Sequence, residues 1–101
     1  MRRPITVRPE AEADIAAAFA WYEEQRAGLG TDFLDEIGRC FQRIEDHPEA
    51  YSTVYRRYRR ALTRRFPYKV FYIVEQDYVS IVAIIHAARH PQRWRSRLQP
   101  R

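Results

Sequence analysis

The spacing of apolar residues changes character along the chain, and the changes mark its elements. Ile5 and Val7 alternate with polar neighbours and read as a short strand ending at Pro9, a residue that fits the first turn of a helix because its missing N–H is not needed there. From Glu10 the period becomes helical: Ile15, Ala18, Phe19 and Tyr22 recur at i, i+3, i+4 and i+7, with Glu10, Glu12 and Asp14 where the helix dipole favours acids. Gly28 predicts a stop near Ala27-Gly28. After Gly30, Thr31 or Asp32 is positioned to cap a second helix, with Leu34, Ile37, Phe41 and Ile44 as its buried stripe and Phe33 and Cys40 flanking it. That helix ends before His47-Pro48, since the residue ahead of a proline avoids helical angles.

Beyond Pro48 the pattern turns to strands. Tyr55 to Leu62 alternates arginines with aromatic or aliphatic residues, Tyr68 to Glu75 is rich in β-formers, and Val79 to Ile85 is almost continuously aliphatic. Arg65-Phe66-Pro67 and Gln76-Asp77 fall between them as turns. The expected fold is α+β, in the order β-α-α-β-β-β. A helical hairpin packs on a small antiparallel sheet, and a tail from Pro91 to Leu98 adds a helical turn. All of residues 1–101 fit one domain, with a 46% apolar fraction sufficient for one core.

Charge changes the picture more than composition does. The net charge of +5 hides a strong asymmetry: residues 10–49 carry eleven acids against three arginines, whereas residues 50–101 carry twelve Arg or Lys against two acids. All but one of the eighteen basic residues are arginine, the planar, permanently charged donor suited to carboxylate or phosphate. The asymmetry points to a polyanionic partner, a nucleic acid or an acidic peptide. Cys40 is the only cysteine, so an internal disulfide is excluded and no zinc spacing exists. Neither a signal peptide nor a membrane-length apolar run is evident, and the expected location is the cytoplasm, without membrane contact.

Two stretches carry candidate chemistry. The first is Tyr55-Arg56-Arg57-Tyr58-Arg59-Arg60, followed by Arg64-Arg65. Read as one strand, it places Arg56, Tyr58 and Arg60 on one face and Arg57 and Arg59 on the other; such a stripe either binds a partner or protects a sheet edge with charge. The second runs from His86 through Arg89, His90, Arg93, Trp94 and Arg95 to Arg97. Guanidinium groups interleaved with indole suit phosphate pairing with stacking, or the clamping of an acidic peptide, although Trp94 could equally pack on the sheet. His86 and His90 are the side chains able to shuttle protons near neutral pH. With only three glycines the chain has no phosphate-cradling loop, and it shows no metal motif and no nucleophile with a credible base. Neither a cofactor nor a metal is expected.

The element order, the segments GLGTDFLDEIGRCFQRIEDHPEAY and RRALTRRFPYKVFYIVE, and the closing IIHAARHPQRWRSRL together resemble the RelE/ParE superfamily of bacterial toxins, nearer its ParE (plasmid stabilisation) branch, from about Ile5 to Leu98. The resemblance implies the toxin of a type II toxin–antitoxin system, held in a hetero-oligomer by an antitoxin with an acidic, amphipathic C-terminal segment. ParE-like members are reported to block DNA gyrase; RelE-like members cleave messenger RNA on the ribosome. The Lys-rich cluster of many RelE members is absent here and Lys69 stands alone, while the tail reads HAARHPQRWR instead of ending in a catalytic Tyr, which favours gyrase and contact over catalysis.

On that reading Arg56, Arg57, Tyr58, Arg59, Arg60 and Tyr72 are the expected antitoxin contacts, and Arg93, Trp94, Arg95 and Arg97 the expected target contacts. The alternative, a metal-independent ribosome-dependent endoribonuclease, would draw on Arg64, Arg65, His86 and Arg89. A third reading is an inert protein whose basic face only binds.

Overall fold

A computed structural model describes residues 3–89 and 91–98. The chain runs β1 (Ile5–Val7), α1 (Pro9–Gln25), α2 (Leu29–Asp46), β2 (Thr53–Tyr55), β3 (Tyr58–Leu62), β4 (Tyr68–Val74), β5 (Val79–His86) and α3 (Pro91–Leu98). The five strands form one sheet in the order β1-β5-β4-β3-β2.

The α+β class and the helical hairpin are as expected, but the sheet is mixed instead of purely antiparallel. β1 lies parallel to β5, with Ile5 opposite Val79 and Val7 opposite Ile81, while the remaining neighbours are antiparallel. The predicted strand from Tyr55 to Leu62 is two strands. Arg56 and Arg57 form the turn between them, Arg56 at a φ of 51°, so the face assignment that alternation gave these two residues does not hold. The tail, expected to add a single turn, forms an eight-residue helix.

The link between α1 and α2 shows how the sequence closes the hairpin. Gly28 adopts a φ of 90°, left-handed backbone that a residue with Cβ resists. The cap comes from neither Thr31 nor Asp32: the Glu23 carboxylate, at the end of α1, accepts from the amides of Gly28 at 2.9 Å and Gly30 at 2.8 Å. This supplies the acceptor and the negative charge that a helix start lacks. The α1–α2 approach is close enough that a Cβ on Gly30 would lie 2.7 Å from the Glu23 Cγ and 2.8 Å from the Phe19 ring.

Both faces of the sheet are covered, which explains why β4 and β5 are apolar nearly throughout. On the front face, Ala11, Ala18 and Tyr22 of α1 and Phe33, Ile37, Cys40 and Ile44 of α2 pack on Val70, Tyr72, Ile81 and Ile84. The α2 stripe is thus turned from the expected one: Phe33 and Cys40 are central and Leu34 is exposed. On the back face Phe71, Ile73, Val82, Ala83 and Ile85 meet Trp94 and Leu98 of α3. Val82 and Ala83 share that face because the β4–β5 register slips between Phe71 and Tyr72, the signature of a bulge.

Two acids, Asp14 half-buried and Glu36 buried, lock these layers. Asp14 of α1 accepts from the Ile84 amide at 2.9 Å, where β5 runs on past the end of β1, and from both terminal nitrogens of Arg97 at 3.1 and 2.9 Å. It therefore ties α1, the sheet and α3 together. Glu36 of α2, only 3% exposed, accepts from the Arg64 amide at 2.5 Å and from the Arg39 guanidinium at 3.1 Å.

Candidate protein-docking surface

The arginines sort by what holds them. Arg57 donates to the Val74 carbonyl at 3.0 Å and the Glu75 carboxylate at 2.9 Å. Arg59 points to the front and donates to the carbonyls of Glu49 at 3.2 Å and Tyr51 at 2.5 Å, pinning the segment ahead of β2. Arg65 sits 3.5 Å from Asp32 and over the Phe66 ring. Arg97 is committed to Asp14. These four are parts of the scaffold.

Another set carries no carboxylate among the described residues. Arg56 lies over the Tyr55 ring at 5.2 Å, and Tyr55 stacks on Tyr58 with the rings 11° from parallel. Tyr58 packs against the back-face core, and Arg60, two residues on, takes the same face of β3 opposite Phe71. Phe71 stacks on Trp94 at 5.1 Å, and the Arg95 guanidinium lies 5.6 Å from the Trp94 ring centroid. Arg56-Tyr55-Tyr58 and Phe71-Trp94-Arg95 thus frame the two sides of the back face, with Arg60 and Lys69 on the strands and Arg93 exposed on α3.

Two expected contact residues cannot serve as such in this arrangement. Tyr72 is fully buried, faces the helices and donates its hydroxyl to the Pro48 carbonyl at 2.6 Å; burial pushes its phenol well above the ordinary value. Trp94 is 6% exposed, its indole N–H without an acceptor among the described residues, so it anchors α3 and positions Arg95 instead of meeting a partner itself.

The residues that an endoribonuclease would draw on make no side-chain hydrogen bond, ion pair or ring contact with one another among the described residues. Arg64 and Arg65 leave the β3–β4 loop in different company, Arg64 beside Arg43 and Arg60 and Arg65 against Asp32. His86, at the end of β5, accepts from the Ala88 amide on Nδ1 at 3.1 Å and meets the Tyr68 ring edge-on at 5.2 Å. Burial, then the neighbouring Tyr22 hydroxyl, push the Tyr68 phenol up to about 12, while Arg89 pulls the other way. Arg89 therefore belongs to the His86 and Tyr68 end, which the Ala87 amide ties to the Pro67 carbonyl of the β3–β4 loop at 2.6 Å. His90 lies outside the described residues.

Sequence reasoning missed Asp14 and Glu36. Both were legible as acids on otherwise apolar stripes, Asp14 between Ala11 and Ala18, and Glu36 between Phe33 and Cys40. For Glu36, burial pushes the carboxyl up, but the amides of Arg64 and Arg65 and the Arg39 guanidinium together outweigh it and hold the group below its ordinary value of 4.5. No cluster of His, Cys, Asp or Glu among the described residues could hold a metal, and none of their helices is long and apolar enough to cross a membrane.

The family model for the ParE toxin of the type II toxin–antitoxin system parDE matches residues 5–91. The chain belongs to the ParE toxin family. It is 28% identical over 96 residues to Toxin ParE2 of Mycobacterium tuberculosis, in strains CDC 1551 and H37Rv alike, covering 90% of this chain and 88% of the relative. Among solved structures, the chromosomal ParDE system from P. aeruginosa superposes with a TM-score of 0.75 at 14% identity, over 83% of this chain and 95% of that one. This ParE-family chain therefore shares its fold with a solved component of a ParDE system despite their low sequence identity.

Proposed function

We propose that this ParE-family toxin inhibits DNA gyrase by protein–protein contact and is neutralised by a cognate, ParD-like antitoxin. The observation that carries the reading is the sorting of the arginines: Arg57, Arg59, Arg65 and Arg97 are tied to acceptors within the fold, whereas Arg56, Arg60, Arg93 and Arg95 border an aromatic back face without a carboxylate among the described residues. Arginine beside aromatic rings on a rigid scaffold is where interface energy concentrates. A surface of this kind binds and holds; it needs no base or acid at a scissile bond.

The test uses purified toxin in two assays. Supercoiling of relaxed plasmid by gyrase should stop on addition of the toxin and resume on addition of the antitoxin, while messenger RNA in a translation extract should stay intact. Cut message with unimpaired supercoiling would overturn the reading in favour of a ribosome-dependent endoribonuclease, and normal growth of cells expressing the toxin alone would favour an inert binder.

A further inference from the structure

A depression of about 470 Å³ opens where the end of β4, the turn between β2 and β3 and the residues ahead of β1 come together. Arg3, Arg57 and Arg59 line it with Thr53, and Val74 is its one aliphatic residue. Arg56 of the docking surface borders it, so the two are continuous. Each of the three guanidinium groups is anchored by part of its fork. Arg3 donates through Nε to the Gln76 carbonyl at 3.2 Å, Arg57 through one Nη to Val74 and Glu75, and Arg59 through one Nη to the carbonyls of Glu49 and Tyr51. A guanidinium offers five N–H donors in a rigid plane, and the rest of each fork makes no hydrogen bond among the described residues. The anchoring bonds fix the direction of the remaining donors, so little ordering is left for an arriving anion to impose.

Two carboxylates border the same depression against four arginines. Glu75 is taken by Arg57 at 2.9 Å; Glu49 lies 3.6 Å from Arg3 with its side chain 64% exposed, and so offsets that charge only weakly. A concave surface of one predominant sign concentrates ligands of the other. The lining decides which anion. No aromatic ring lines the depression, so neither a free nucleotide nor a single strand finds a ring on which to stack its bases. One valine gives an acidic peptide no apolar anchor of the kind that holds a protein interface. What remains is contact through charge and planar forks, which is how a duplex backbone is held.

We infer that the depression at Arg3, Arg57 and Arg59 binds backbone phosphates of duplex DNA, independently of base sequence. Each fork takes a phosphate through charge-assisted N–H···O bonds, and the Thr53 hydroxyl adds a neutral donor. The inference deepens the proposed function and rests on it for the source of the phosphate: gyrase works on duplex DNA, and a toxin docked through Arg56, Arg93 and Arg95 carries the adjoining depression with it. The protein contact then selects the enzyme. The phosphate contact adds affinity only where enzyme and duplex are together.

The experiment is fluorescence anisotropy of a labelled DNA duplex of arbitrary sequence, titrated with the full-length toxin at about 50 to 200 mM salt. Three neutralised phosphates give a slope of log K against log salt of about −2.7. R3Q and R57Q should each make that slope shallower by about one and weaken binding by about threefold to tenfold, alike on different sequences. E49Q removes an exposed acid from the border and should tighten binding by about twofold or more, a gain that misfolding cannot produce. No binding at the lowest salt, or binding unchanged by R3Q, R57Q and E49Q alike, overturns the inference and leaves the gyrase reading to its own supercoiling assay. Tighter binding of ATP or of a single-stranded oligonucleotide than of the duplex also overturns it. Duplex binding with the expected pattern of variants, alongside unimpaired supercoiling, upholds the site and overturns the gyrase reading.

Discussion

Glu36→Gln probes the join between the helical layer and the β3–β4 loop. The wild-type carboxylate is 3% exposed and takes the Arg64 amide at 2.5 Å and Arg39 at 3.1 Å, with the Arg65 amide also directed at it. The substitution keeps the shape but turns one acceptor oxygen into an NH2 that faces a donor. Hydrogen bonds to a charged group are each worth about 1.5–3 kcal/mol, and a buried donor left without an acceptor adds a penalty. The Arg64 and Arg65 side chains are exposed, so water can reach part of the loop; a loss of about 2 kcal/mol at pH 7 is expected. The sign with pH follows from the lowered pKa. The folded carboxyl ionises more readily than the unfolded one, so its contribution is present above the ordinary value of 4.5 and fades as pH falls through the folded value. Urea titrations of both proteins at pH 7, 5 and 3 should show a gap that is full at the first, nearly full at the second and shrunken at the third. A gap under about 0.5 kcal/mol at pH 7, within the range of an ordinary surface change, or one that does not change with pH, would refute the reasoning.

Asp14→Asn should cost about 2–3 kcal/mol in urea unfolding and speed exchange of the Ile84 amide, because it weakens two bonds from Arg97 and one from the strand edge; in a double-mutant cycle with R97Q the two changes should be non-additive. Trp94→Ala removes the ring that stacks on Phe71 and should destabilise by about 3 kcal/mol, with loss of α3 signals in the NMR spectrum ahead of the rest of the fold. Gly30→Ala places a methyl group against Glu23 and Phe19 and should lower stability by about 1–3 kcal/mol in thermal or urea melts. Burial pushes the Cys40 thiol up to about 11, so in native protein at pH 8 it should resist a thiol reagent that labels it at once in denaturant.

The helical hairpin was readable because its signals are local. Gly28 fixes the turn, and Ala18 and Tyr22 mark the inner face of α1. The α2 stripe was right at Ile37 and Ile44 but misplaced its centre at Leu34 and Phe41, because Phe33-Leu34 and Cys40-Phe41 each offer two adjacent apolar residues, and only packing against the sheet decides between them. Splitting Tyr55 to Leu62 into two strands was illegible for a different reason: the turn at Arg56-Arg57 contains no Gly, Pro, Asn or Asp. The parallel pairing of Ile5–Val7 with Val79–Ile81 spans residues more than seventy positions apart, a relation that no local pattern encodes. For the site, the density of arginine was plain in the sequence, but its division into scaffold and surface was not. Arg97 and Arg95 read alike until Asp14, more than eighty residues earlier, takes one of them.

The most direct test is a gyrase supercoiling titration comparing the wild-type toxin with R56E/R93E/R95E. All three positions are exposed, and none bonds to a carboxylate among the described residues, so the variant should melt as the wild type does. The account predicts that the wild-type toxin blocks supercoiling and that the variant needs about thirtyfold more protein or fails to block at all, the scale expected from losing guanidinium anchors at an interface. Equal inhibition by the two proteins would contradict it.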